Sequence, residues 1–286
     1  MLLRFKVITV LAIMLFTYNN SVAQQLVIDV QEQDSTSIWQ LAKHDFKYTL
    51  KGVGHSFTRP LHWKSKDFEK LGLFVAGTAA LSLADEPIRD FALNNKDDFP
   101  TPLRDFGWYF GSPQNYFMAN AGLYAFGIFT KNEKVRKTSV LIISSSITTG
   151  LIQTVSKAAI GRARPGSGYD NYTFKPFSGE AAFRSFPSGH TILSVTMAHS
   201  IAKQFKNPWV KAGIYTVGAI PPISRIIDDA HWVTDIAFSA IVSIVVVDSI
   251  DKFLNDENAY NTPKREKQIS WNIKFSSNQI GLVGTF

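Results

Sequence analysis

From Phe68 to Leu254 the chain repeats one pattern: a largely apolar stretch, then a short connection rich in charge, glycine or proline. Strands usually stop after about 5–6 residues, so stretches of this length are helices. The spacing predicts six of them, over residues 71–84, 116–130, 138–156, 191–205, 210–227 and 232–254. Short connections make neighbouring helices antiparallel. The expected fold is all-α, a six-helix bundle filling residues 68–254. With no cysteine in 286 residues, a disulfide scaffold, a thiolate zinc site and cysteine catalysis are excluded.

The flanks read differently. Residues 1–23 carry Arg4 and Lys6, an apolar run over 7–16, and Ser21-Val22-Ala23, the three-part pattern of a signal peptide. Its removal takes two cations and no anion from a formal net charge of +7, which is mild, dispersed and no footprint for nucleic acid. The expected location is outside the cytoplasm, in a bacterial periplasm or cell envelope, associated with a membrane. Residues 24–67 form an N-terminal arm in which Ser37 caps an amphipathic helix carrying Ile38, Trp39, Leu41, Ala42 and Phe46. In the tail, residues 255–286, Ile269, Trp271, Ile273 and Phe275 alternate before a polar turn and Ile280 and Leu282, which predicts a β-hairpin.

Three segments concentrate polar chemistry between apolar helices. In the first, Lys157 and Arg164 stand seven apart before Pro165, two turns along one helical face. Two cations without a neighbouring acid suit an anion, although a charged helix end alone is more often just solvated. The second is Pro187-Ser188-Gly189-His190, directly before an apolar helix. Free N–H groups and the dipole at a helix N-terminus attract an oxyanion, and glycine lets it approach. The third is Ser224-Arg225, then His231 and Asp235. The last two are i and i+4, so the carboxylate can orient the imidazole. By itself this pair also reads as a buried His–Asp bond between helices.

Antiparallel packing adds a check. Lys157 ends one helix, His190 begins the next, Arg225 ends the third and His231 begins the fourth. All four fall at the same end of the bundle. His44, His55, His62 and His199 have no such company and receive no role.

Lys-x6-Arg-Pro, Pro-Ser-Gly-His and Ser-Arg-x5-His-x3-Asp, in that order, resemble the motifs of the type 2 phosphatidic acid phosphatase superfamily, whose fold is shared with vanadium haloperoxidases. The resemblance covers residues 68–254. It implies that Lys157, Arg164, Ser188, Gly189 and Arg225 bind phosphoryl oxygens. It implies further that His231 is a nucleophile forming a phosphohistidine, that Asp235 orients it, and that His190 protonates the leaving group. Arg162 falls between the motif cations but outside the pattern, and reads as solvated or substrate-facing. The implied activity is metal-independent hydrolysis of a phosphomonoester or pyrophosphate, with no cofactor. The substrate would be a phosphorylated lipid (phosphatidate, polyprenyl pyrophosphate or lipid A type). A broad-specificity periplasmic acid phosphatase acting on small phosphoesters, or a haloperoxidase holding vanadate, are the alternatives.

By run length the chain reads as a globular helical bundle or a shallow membrane protein. Residues 138–156 are uncharged and about as long as a span requires, yet nine of the nineteen are Ser or Thr. Residues 71–84 are short, and twelve residues separate Asp235 from Asp248. With 1–23 removed, six spans would turn the active end to the cytoplasm. Lys131, Lys134, Arg136, Lys137, Lys203, Lys206 and Lys211 at the other end argue for the opposite placement. The expectation is a periplasmic bundle touching a membrane surface.

Overall fold

The computed structural model describes residues 36–256, Tyr260, and the backbone of residues 270–276 and 279–285. The chain divides into Met1–Ser35 and Thr36–Phe286. The expected signal peptide and the first residues of the arm lie outside the described residues.

The second unit is built from helices α1 (Ile38–Thr58), α2 (Ser65–Leu81), α3 (Asp85–Asn94), α4 (Thr101–Phe110), α5 (Pro113–Phe129), α6 (Glu133–Ile160), α7 (Gly189–Ala202), α8 (Pro208–Ile227) and α9 (Val233–Asn255). Helix α6 is the central post, packed by α1, α5, α7 and α9, while α8 packs on α7 and on α4. Strands β1 (Ser270–Ser276) and β2 (Gln279–Thr285) pair antiparallel, Ser270 opposite Thr285.

Between Ser65 and Asn255 the six expected helices become eight. Residues 94–113, which none of the six expected helices covers, contain α4. Prolines there start helices rather than stop them: Pro102 occupies the first turn of α4, Pro113 that of α5, and Pro87 lies in the first turn of α3. A first-turn proline has no intrahelical N–H bond to lose. Ser37 does cap α1, accepting from Gln40 N at 3.2 Å in a capping box. A buried carboxylate then fastens α1 to the bundle. Asp45 accepts from Arg136 Nε at 2.9 Å and Tyr124 Oη at 3.0 Å, and from the Tyr260 hydroxyl.

The polarity of α6 corrects the run-length argument. Its buried face carries Ser139, Ser144, Ser145, Ser146, Thr148 and Thr149. Several of these hydroxyls bond back to their own helix, Ser144 to Val140 O at 2.7 Å and Thr149 to Ser145 O at 2.8 Å, which satisfies them without water. Small hydroxyl residues also let helices approach closely. Its exposed face carries Ile147, Leu151 and Val155, and α9 likewise exposes Ile241, Ile244 and Val245. Hydroxyls inside and aliphatics outside is the distribution lipid-facing helices need. Three stretches, Ser65–Asn94, Glu133–Ile160 and Val233–Asn255, are long and apolar enough to cross a membrane. Counting uncharged runs missed two of them, because helix ends hold the charges.

Candidate active site

The site is assembled where α6, α7, α8 and α9 bring their ends together. Helix α6 presents Lys157 in its last turn and stops at Gly161. Gly161 has φ +58°, and a Cβ there would lie 2.0 Å from Lys175 O, so only glycine makes this reversal. The chain then folds back on itself. Lys175 N donates to Gly161 O at 2.7 Å, Ala163 N to Thr173 O at 2.9 Å, and Ser185 N to Arg162 O at 3.0 Å. After the cis Phe186-Pro187 bond, Ser188 occupies the N-cap position of α7 without a side-chain capping bond, and its N–H donates to Ser239 Oγ at 2.8 Å.

Beside these elements, bordered by α5, α6, α7 and the loops that carry Arg164 and His231, lies an open cavity of about 570 Å3. Lys157, Arg164, Gly189, His190 and His231 line its polar end, and Phe117, Ile147, Leu151 and Leu193 line its wall. Lys157 Nζ donates to Arg184 O at 2.5 Å, and Arg164 Nη1 to Ala230 O at 2.9 Å. Two cations therefore sit beside both histidines, held by loop carbonyls rather than by carboxylates.

Ser188 and Arg225 are close by but are not in the cavity lining. Ser188 is fully buried and accepts from Thr191 Oγ1 at 3.0 Å. Arg225 donates to Asp228 Oδ2 at 2.6 Å, and its guanidinium lies 4.6 Å from the centre of the Trp108 ring.

Burial dominates both imidazoles. It pulls His190 down to about 4, helped by the charges of Arg225 and His231 and opposed by a bond to the Trp108 backbone. The same cause takes His231 to about 4 against the pull of Asp235. Both rings are therefore neutral at pH 7 in the free site. His190 Nε2 is buried without a hydrogen-bond partner among the described residues, which leaves it ready for an incoming group.

His231 Nδ1 lies 3.5 Å from Asp235 Oδ2, an ion-pair distance longer than a hydrogen bond. The Asp235 oxygens are already engaged. Oδ2 accepts from Ser185 Oγ at 2.5 Å and Trp232 N at 3.0 Å, and Oδ1 from Arg162 Nη1 at 2.8 Å. Arg162 thus corrects its sequence reading. It is neither solvated nor facing substrate, but buried against Asp235, Thr234 and Asp85. Asp85, Ser185, Thr234 and Trp108 were not singled out in the sequence. Only Asp85, the first of two acids closing an apolar run, carried a signal.

Among the described residues no group of three His, Cys, Asp or Glu converges as a metal site would require. His44, His62 and His199 are engaged elsewhere, with Asp45, Thr58 O, and Tyr215 with Asp248.

The PAP2 superfamily matches residues 138–255, a stretch running from before Lys157 to beyond Asp235. Curated relatives include the lipid A 1-phosphatase of Rhizobium johnstonii, 27% identical over 220 residues covering 71% of this chain and 86% of the relative. That of Rhizobium etli is 29% identical over 62% of this chain and 78% of its own length. The lipid A 1-phosphatase of Porphyromonas gingivalis is 26% identical over 68% of this chain, and the match covers only 41% of that longer relative. Among solved structures, the first transmembrane PAP2 type phosphatidylglycerolphosphate phosphatase from Bacillus subtilis shares the fold. It has a TM-score of 0.52 and 20% identity, and the match covers 69% of this chain and 100% of that one. Over residues 138–255 the chain is thus similar to the PAP2 superfamily, and its fold is that of a PAP2 type phosphatase.

Proposed function

We propose that this protein is a metal-independent phosphatase, a membrane-associated phosphoric ester hydrolase that removes phosphate from a lipid through a phosphohistidine on His231. The observation that carries this reading is the two-sided cavity. Two cations and two histidines stand at one end, and Phe117, Ile147, Leu151 and Leu193 line the wall leading from it. An anionic head group fits the first and acyl chains fit the second. The aliphatic outer faces of α6 and α9 would deliver such a substrate from the plane of a membrane.

In the reaction, Lys157, Arg164 and the Gly189 amide neutralise the non-bridging oxygens. His231 Nε2 attacks phosphorus, forming an N–P bond as the P–O bond to the lipid breaks. His190, protonated once the dianion is bound, gives its Nε2 proton to the leaving oxygen. It then takes a proton from water, whose oxygen attacks phosphorus and breaks the N–P bond, releasing phosphate and restoring His231. The names of the relatives put a lipid A 1-phosphate first among candidate substrates.

The test is phosphate release from lipid A, phosphatidate, a polyprenyl pyrophosphate and a soluble aryl phosphate, with His231→Ala as control. Release from a lipid, abolished by the substitution, inhibited by vanadate and insensitive to EDTA, is the expected result. Strong EDTA inhibition, or turnover of the soluble ester alone, would reject it.

A further inference from the structure

We propose that Arg162 and Asp85 are positioning residues for the reaction, an outer ion pair that holds Asp235 and, through it, His231; this rests on His231 being the nucleophile. Arg162 is 4% exposed and spends its guanidinium on four acceptors. Nη1 reaches Asp235 Oδ1 at 2.8 Å and Thr234 Oγ1 at 2.6 Å, Nη2 reaches Asp85 Oδ2 at 2.5 Å, and Nε reaches Asn171 O at 2.9 Å. Asp85 completes the frame from α3. Its Oδ1 accepts from Thr234 N at 3.0 Å, one of the α9 N-terminal donors that have no intrahelical acceptor. Trp232 covers the pair, its ring centre 5.5 Å from the guanidinium.

A buried carboxylate–guanidinium–carboxylate chain gains little stability over apolar packing, because desolvation offsets the attraction. Its geometry is what it offers. A planar fork fixes two carboxylates at once, which a lysine ammonium does not do. Asp235 needs such fixing because its Oδ2 is shared by the Ser185 hydroxyl, the Trp232 amide and the His231 ring. With Arg162 anchoring Oδ1, Asp235 cannot rotate away, and Oδ2 stays aimed at His231 Nδ1. Neither Arg162 nor Asp85 lines the cavity, so their effect is on turnover rather than on substrate binding.

The experiment compares Asp85→Asn, which keeps shape, and Arg162→Lys with Asp235→Asn, His231→Ala and each double variant with Asp235→Asn. Folding is verified by thermal melting in detergent; if Arg162→Lys does not fold, the isosteric Asp85→Asn carries the test. Outer partners that orient a metal-bound imidazole matter by about 10–100-fold; by analogy a loss of about that size in kcat is expected here, with KM within about twofold. Because both act through Asp235, neither should lower kcat further in the Asp235→Asn background. Wild-type kcat in folded Asp85→Asn, or losses that multiply fully with Asp235→Asn, would overturn the proposal while an inactive His231→Ala leaves the phosphohistidine reading standing. An active His231→Ala would overturn both.

Discussion

Gly111, which closes α4, lies against His190 so tightly that a Cβ on it would come 2.7 Å from the imidazole Cδ2 and 3.0 Å from the His190 Cβ. The general acid of the proposed reaction is thus located by a backbone on a neighbouring helix. Gly111→Ala must push the ring or the helix aside. Because small misplacements of a reacting group cost about 100-fold, kcat for lipid phosphate hydrolysis should fall by about that factor, with the melting temperature little changed. Gly54→Ala, where a Cβ meets nothing within 4 Å, is the matched control.

The two buried imidazoles make stability depend on pH. Both titrate near 4 in the folded protein, against about 6.5 in an unfolded chain. Between these values the unfolded state binds more protons, so stability rises with pH across that window. It is complete above about pH 6.5 and declines as the pH falls toward 4. Melting temperature should drop steadily over that interval, and the slope should flatten in His231→Gln.

Anion binding should take up a proton. His190 is neutral in the free site at pH 7, with an unpartnered buried Nε2. A bound oxyanion beside that atom favours the imidazolium. Titration of vanadate or tungstate calorimetrically, in buffers of different ionisation enthalpy, should reveal net uptake approaching one proton near pH 7. His190→Asn should abolish it.

The hydroxyl-lined interior of α6 sets a size limit. Ser145 is fully buried, and its Oγ has no hydrogen-bond partner among the described residues. Ser145→Ala should therefore be neutral or slightly stabilising, while Ser145→Leu should cost about 1–3 kcal/mol through overpacking. Detergent melts of the two variants provide the comparison.

Local chemistry was readable in advance wherever neighbours in sequence make it. The Ser37 cap needs only Gln40 three residues on, and the placement of Lys157, His190, Arg225 and His231 at one end needs only helix alternation. The six-helix pattern passes over α4 because proline reads as a breaker, whereas position within the first turn decides its effect. Arg162 was misread for a different reason. Its partners, Asp85 and Asp235, are 77 and 73 residues away, and no local pattern announces a contact over that distance. The hydroxyls of residues 138–156 were counted as polar because composition does not say which face they occupy or that they bond to their own backbone.

By itself the sequence determined the helical character of the chain, the residue types able to hold a phosphoryl group, and their gathering at one end, since periodicity, helix-end chemistry and antiparallel connection are local properties. Only the tertiary structure decided that Lys157, Arg164, His190 and His231 share a cavity with apolar residues in its lining, which Ser188 and Arg225 do not join. It also decided that Arg162 anchors Asp235. These depend on which faces pack together, and burial converts the same side chains from solvated charges into fixed partners.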